Sequence, residues 1–584
     1  MCIFHDCIIL LLETNMAWKW LFFLLLAIGL GVIVQNETRR KQFLGEVQQA
    51  RLFINKLAER FEGWQIIFLA VGATLIVSSI YSCLFREDET LWNRTKRSFF
   101  RTMRKIPWYR AKIEEELEKA LNDIEKDAFA PKKGEKHHLE LPAKGLTHDK
   151  VLKEVDFLRT LGDDNQWKDG FVSGALYNCS EELTKLTAAV YGRFAWSNPL
   201  HPDVFPYIRK MEAEVVQWTI NFFNGGKEAR GTMTSGGTES IILAMRVYRE
   251  IGYEKGIEYP EIVCPISAHC AFNKAADYFR MKITQIPVDP RTRKVNLKAM
   301  AKAISRNTVV LVGSAPQFPH GIVDPIEDIA KLARKRGIGV HVDSCLGGFL
   351  VPFMKKAGFE IDPFDFQVPG VTSISADTHK YGYAPKGTSV VMYANKELCH
   401  RQYFIAPNWQ GGLYATATIS GSRAGGLIAA TWATMMYMGE DGYVDATRKI
   451  VTTARKIQDA LKKIPGIYIL GSPKLSVIAV GSNDFNIYCL FGALTKRGWN
   501  LNALQFPGSF HICLTLLHTK KGVAERFIKD IRECTAEIMK NPDTKPTGTA
   551  ALYGTAQTIS DRSIVTELSA GFIDLLYKAS PPSN

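Results

Sequence analysis

The chain has 11 cysteines but no CxxC pair among them. Scattered, odd-numbered cysteines give neither a zinc-ligand pattern nor a disulfide framework. A reduced, cytosol-facing setting is the expectation. Glycine and proline are few, 45 and 25 of 584 residues, which excludes a collagen-like or low-complexity chain. No internal repeat is visible. There is no Walker A motif either, because no lysine follows the glycines of the one Gly-rich loop, Ser235-Gly236-Gly237-Thr238. What is present is a chain that is 46% apolar and 23% charged, long enough to bury a large core.

The net charge is +14, and one stretch concentrates it. Between Leu91 and Lys112 there are eight Lys or Arg and no Asp or Glu. This stretch follows a run at 64–83 that carries no charge over 20 residues. A bilayer core needs about 20 apolar residues in a helix, so 64–83 is the predicted membrane span. Basic residues beside a span mark its cytoplasmic side, so a membrane surface is favoured over nucleic acid as their partner. An earlier apolar run, 17–34, reads equally as a second span, a signal-anchor or an N-terminal extension.

An amphipathic helix follows, with Ile113, Leu117, Leu121, Ile124 and Ala128 on one face. From about 150 the pattern alternates. Strands are expected at 261–265, 282–288, 308–313 and 338–343, with helices at 271–279 and 326–335. Such alternation indicates βαβ units and a mainly parallel sheet. After about 441 the order changes to α+β, which suggests a smaller second domain. The expected division is 1–63, an N-terminal segment; 64–83, a transmembrane helix; 84–150, a juxtamembrane stretch and linker; 151–440, a large domain; and 441–584, a small domain and tail.

Four features of the large domain carry chemistry. A Gly-rich loop, Ser235-Gly236-Gly237-Thr238-Glu239-Ser240, opens a helix and could hold an anion. His269 stands in Ser267-Ala268-His269-Cys270. Asp343 ends an apolar strand, where open α/β sheets bind ligands. Lys380 stands in Ser375-Ala376-Asp377-Thr378-His379-Lys380-Tyr381-Gly382. In isolation each has a plain structural reading: a helix cap, a satisfied histidine, another cap, a surface lysine. Together they match the needs of pyridoxal 5'-phosphate (PLP). Its aldehyde takes a lysine, its ring nitrogen an acid, its ring a flat partner and its phosphate an anion site.

These runs resemble the PLP-dependent decarboxylase group of the aspartate-aminotransferase fold. Within that group the chain is similar to the sphingosine-1-phosphate lyase family. Residues 194–202, Pro316-Gln317-Phe318-Pro319-His320-Gly321, Trp409-Gln410-Gly411-Gly412-Leu413-Tyr414 and 381–387 carry that closer likeness. The resemblance implies a fold type I, PLP-dependent transferase-like α/β domain with a smaller C-terminal α+β domain. It implies a homodimer with active sites at the interface, anchored in the endoplasmic reticulum membrane with the catalytic domain in the cytosol. It implies that Lys380 bonds to the cofactor, Asp343 pairs with its ring nitrogen and His269 stacks on its ring, with Gly237, Thr238 and His379 near its phosphate. Tyr177, His201, Lys386 and Tyr414 match substrate-phosphate or catalytic positions. The implied reaction is retro-aldol cleavage of the Cα–Cβ bond of a sphingoid base 1-phosphate, giving a long-chain aldehyde and phosphoethanolamine. Two other readings stay open here: an amino-acid decarboxylase, and a protein that keeps the fold but works by binding.

Overall fold

The computed structural model describes residues 102–128, 135, 137–162, 167–546 and 562–579, with scattered positions between 48 and 100. It separates into two units, Met1–Arg86 and Glu87–Asn584. The run at 17–34 lies outside the described residues, as does most of 64–83. Among the described residues, no helix is long and apolar enough to cross a membrane.

A seven-stranded sheet organises the larger unit. Its strands are β1 (Arg230–Thr234), β2 (Glu261–Pro265), β3 (Lys282–Ile286), β4 (Thr308–Ser314), β5 (Gly339–Asp343), β6 (Val371–Ala376) and β7 (Ser389–Tyr393). Their spatial order is β1-β7-β6-β5-β4-β2-β3. The pairs from β3 across to β6 are parallel, whereas β7 runs antiparallel to both β6 and β1. The expected mainly parallel sheet is therefore present, with one reversed strand.

Strands β2, β4 and β7 are buried at every position, as a sheet covered on both faces requires. The pleat divides their side chains. Leu311, Val342, Ile374 and Met392 join the core shared with helices Pro206–Phe222 and Ile326–Arg334. Val310, Val312, Val391 and Tyr393 face the other way, against helices Gly237–Glu254 and Ala271–Phe279. The result is three layers, helix, sheet, helix.

A short hairpin, β8 (Phe404–Ala406) and β9 (Tyr414–Thr416), leads into the long helix Gly425–Leu461. That helix breaks at Gly439, whose φ of 56° lies in the left-handed region. The break falls beside the expected 440/441 division. Beyond it, β10 (Tyr468–Ile469), β11 (Val477–Gly481), β12 (Asn502–Leu504) and β13 (Ser509–Cys513) form an antiparallel sheet ordered β10-β11-β13-β12. Helices Ile487–Lys496 and Val523–Ile538 complete this smaller part. Within the larger unit, Leu121 of helix Pro107–Ala128 lies against Gly571 of helix Arg562–Leu576, and Lys578 pairs with Glu125.

Trp499 anchors the small part. It is fully buried, packs edge-on against Phe171 and Phe527, and donates its indole N–H to Asp530 Oδ2 at 2.9 Å. Trp499→Ala is expected to cost about 3–5 kcal/mol, read as a lower denaturation midpoint. An unchanged midpoint would contradict the anchoring role.

Burial also gives the fold a pH dependence. It pushes His320, His341, His511 and His518 down to about 4. Their stabilisation is complete above the unfolded value of about 6.5 and is lost as pH falls toward 4. Burial pushes Asp324 the other way, up to about 7, against the pull of hydrogen bonds from Ser314 and Val295 N–H. Its contribution is lost as pH rises from about 4 to about 7. Four histidines outweigh one aspartate. Between pH 4.5 and 6.5, unfolding is expected to take up about two protons net from these five groups. Denaturant midpoints across that range measure it, and a midpoint that rises on acidification would refute it.

Candidate active site

Lys380 follows β6, in a turn that must be tight. A Cβ at Gly382 would lie 2.4 Å from the Thr378 carbonyl oxygen, so only glycine closes the turn this way. The next residue but one before it, Lys380, then faces the start of helix Gly237–Glu254. That start is pinned to the sheet. Ser240 Oγ lies 2.7 Å from Thr234 Oγ1 and 2.9 Å from Ser389 Oγ. Glu239 accepts the Ser235 N–H at 2.6 Å and the Ile419 N–H at 3.1 Å.

Between the turn and the helix start lies a cavity of about 320 Å³. Gly237, Thr238, His269, His379 and Lys380 line it, with Cys345 and Asp377. Five residues chosen from sequence thus meet in one place. The helix start supplies unpaired N–H groups to an anion, worth up to about 2 kcal/mol in a partly buried setting. Glycine is required there too: a Cβ at Gly237 would lie 2.7 Å from Cys345 Sγ and 2.8 Å from Asp377 Oδ1.

His269 accepts the Ala271 N–H at its Nδ1 (3.1 Å), which leaves the ring proton on Nε2. Phe318 stands edge-on to its ring at 6.5 Å. His379 donates through Nδ1 to the Thr388 carbonyl, and burial holds it below the usual histidine value. Lys380 Nζ lies 2.9 Å from Asp377 Oδ2. Burial alone would lower the lysine's pKa. The negative groups around it, Asp377 first, outweigh burial and raise it.

Asp343 does not itself line the cavity. Its Oδ1 accepts the backbone N–H of Cys345, a lining residue, at 3.0 Å, and Ser375 Oγ lies 3.4 Å away. The next turn of the chain therefore holds the carboxylate by its first free N–H. Tyr177 packs edge-on against Tyr381, and Lys386 Nζ lies 4.7 Å over the Tyr177 ring. Lys386 Nζ also reaches the His379 carbonyl at 3.4 Å. Both residues thus border the Lys380 turn. His201 and Tyr414 are not among the lining residues. His201 is exposed in a loop after helix Glu181–Phe194, and Tyr414 packs against Trp409 in the β8–β9 hairpin. Sequence reasoning missed Asp377, Cys345 and Glu239 as site residues, although Asp377 and Glu239 stood inside the motifs it quoted and Cys345 lies two residues after Asp343.

The donor set fits PLP: one amine in reach, an anion site at a helix start, a flat ring, and a buried Asp377 Oδ1 without a partner facing the same space. Comparison with known proteins agrees. The model of the pyridoxal-dependent decarboxylase conserved domain matches residues 167–480. Sphingosine-1-phosphate lyase 1 of Rattus norvegicus is 51% identical, over 91% of this chain and 93% of its own length. The Saccharomyces cerevisiae sphingosine-1-phosphate lyase is 42% identical, over 84% of each. The solved structure of a Burkholderia pseudomallei sphingosine-1-phosphate lyase superposes with a TM-score of 0.71 at 36% identity, over 78% of this chain and all of that one. A Lactobacillus brevis glutamate decarboxylase, 19% identical with a TM-score of 0.60, shares the fold.

The chain belongs to the pyridoxal-dependent decarboxylase family and, within it, to the sphingosine-1-phosphate lyases. It is a PLP-dependent lyase. Gly237→Val is expected to weaken PLP binding by about 100-fold, because the side chain would occupy space shared with Cys345 and Asp377. Titration of the cofactor's visible absorbance tests this, and unchanged affinity would remove the helix start from the site.

Proposed function

We propose that this enzyme cleaves the Cα–Cβ bond of sphingoid base 1-phosphates, releasing a long-chain aldehyde and phosphoethanolamine in sphingolipid degradation. The observation that carries the reading is the identity of 40–51% to sphingosine-1-phosphate lyases of animals and Dictyostelium over about nine-tenths of the chain, joined to the cavity that collects Lys380, His269 and Gly237. Glutamate decarboxylase shares only the fold at 19% identity, so amino-acid decarboxylation has no comparable support.

PLP, when bound, supplies an electron sink for the pair left on Cα. The protein's residues do the rest. Lys380 Nζ, the amine that lines the cavity, would hold the cofactor. His269, fixed through Nδ1 by the Ala271 N–H, would flank the cofactor's ring. Asp343, held by the Cys345 N–H, is the acid assigned to the ring nitrogen. Lys380 Nζ, which lines the cavity, and the Tyr414 hydroxyl of a second copy are the two side chains assigned to the 3-hydroxyl proton. Lys386 and His201 are the donors assigned to the substrate phosphate, a dianion that charge-assisted hydrogen bonds favour. Lys386 already borders the Lys380 turn.

His201 and Tyr414 sit apart from the cavity of their own chain, which supports a homodimer with shared active sites. Trp196, Phe404, Ile405, Trp409 and Leu413 are exposed apolar residues of the same segments, and Asn198 bonds to Ser422 beside them. An apolar surface of that kind suits a second copy. The endoplasmic reticulum location rests on the resemblance to the lyase family, whereas the span at 64–83 and the cytosolic side of the catalytic domain rest on the uncharged run and the basic stretch after it. A bilayer anchor would hold the enzyme beside a substrate whose alkyl chain partitions into lipid.

The test is incubation of detergent-solubilised protein with a sphingoid base 1-phosphate, with and without PLP, assaying both products. Wild type is expected to form both in a PLP-dependent way. Lys380→Ala is expected to form neither and to lose the cofactor's visible absorbance. PLP binding without either product would sink the substrate assignment, and retained absorbance in the variant would sink that of Lys380.

A further inference from the structure

The two oxygens of Asp377 have different surroundings. Oδ2 lies 2.9 Å from Lys380 Nζ and 3.7 Å from His379 Nε2. Oδ1 is buried and has no hydrogen-bond partner. A buried acceptor left unpaired is costly. The carboxylate also abuts the helix start, since a Cβ at Gly237 would lie 2.8 and 2.9 Å from its two oxygens. Asp377 therefore stands between the anion site and the lysine. The other titratable groups that face this pair are His379, Lys386, Cys345, Tyr177 and Cys513.

With Asp377 beside it, Lys380 rests as an ammonium ion, which has no lone pair and cannot attack an aldehyde. A dianion at the helix start reverses the balance. The helix start abuts Asp377, whose two oxygens, and no atom of Lys380, are among the three atoms nearest a Cβ at Gly237, and like charge there favours the protonated carboxyl.

We infer that Asp377 is the counter-ion and proton acceptor of Lys380: it holds the lysine inert in cofactor-free protein and takes its proton once a phosphate occupies the helix start. The proton moves from Nζ to Oδ2 across 2.9 Å. The freed lone pair bonds Nζ to the aldehyde carbon, and the aldehyde oxygen leaves as water with the two hydrogens that remained on Nζ. No oxidant or reductant is needed. Cofactor loading is thereby gated by its own phosphate. The inference rests on PLP as cofactor and is independent of the substrate.

The experiment uses the full chain in detergent with its cofactor removed. Acylation of Lys380 by N-hydroxysuccinimidyl acetate, a neutral reagent, is followed by peptide mass spectrometry against pH, with and without inorganic phosphate. In wild type, Lys380 is expected to be protected at pH 7 and to react about tenfold faster with phosphate, the equivalent of about one pKa unit. In Asp377→Asn, acylation without phosphate is expected to be about tenfold faster than in wild type, and phosphate is expected to give no further increase. Equal rates in the two proteins, or phosphate slowing both alike, overturns the proposal. If the variant does not fold, the wild-type phosphate titration decides, and a phosphate-independent rate overturns it. Adding PLP to wild type separates the two readings: no visible absorbance there would mean that the cofactor assignment itself had failed.

Discussion

The turn from Asp377 to Gly382 is the constraint on which the rest of the site depends. It must carry a buried cation toward a helix start without leaving its own backbone loose. Three sets of contacts hold it. Thr378 Oγ1 bonds to Thr388 Oγ1 at 2.7 Å, tying the turn to the strand that returns beside it. Tyr381 places its hydroxyl 2.6 Å from the Leu514 carbonyl and 2.7 Å from Ser476 Oγ, tying it to the small sheet. Tyr443 reaches the Gly382 carbonyl at 3.0 Å from the long helix. A buried network that is satisfied in this way is rigid, and rigidity holds the Lys380 amine at the cavity.

The reversed strand has a consequence for that turn. Because β7 runs antiparallel to β6, the chain comes straight back after the lysine instead of crossing over through a helix. Both ends of the Lys380 loop therefore sit at the same edge as the carboxyl ends of β5 and β6, where Asp343 and Ala376 lie. The Gly237 helix start reaches the same edge, since β1 pairs with β7 and its last residue, Thr234, sits opposite Ser389. The site is built where the sheet's order departs from the chain's order, the place open α/β sheets offer for ligands.

The charges in the cavity follow from burial and proximity. A buried ammonium needs a counter-ion, and a buried carboxylate needs donors. Lys380 and Asp377 meet each other's need, and the unpaired Oδ1 faces the space a ligand would fill. Asp343 is treated differently: its partners are a backbone N–H and a hydroxyl, which orient it without neutralising it.

The sequence read well wherever periodicity was strong. β2 and helix Ala271–Phe279 fall on the expected residues, and β4, β5 and helix Ile326–Arg334 within one. β1 and β6 were not anticipated, because Arg230–Thr234 and Val371–Ala376 are short and rich in glycine, threonine and serine, with no apolar run to mark them, and β7 was not anticipated despite its apolar residues 390–393. The Lys380, His269 and Gly237 motifs were legible because PLP chemistry needs those residue types in that order. Asp377 was in plain view within the same motif, yet its role as the lysine's partner was not legible, since an i, i+3 spacing in a turn fixes no direction for the side chains. Sequence alone thus determined the layered α/β class and the cofactor, and singled out a lysine that the structure places in the cavity, because hydrophobic period and functional-group chemistry are local. Only the tertiary structure decided which acid touches the lysine, which acid lies one turn away, and that His201 and Tyr414 stand apart from the cavity, because those relations arise where strands distant in sequence share one edge.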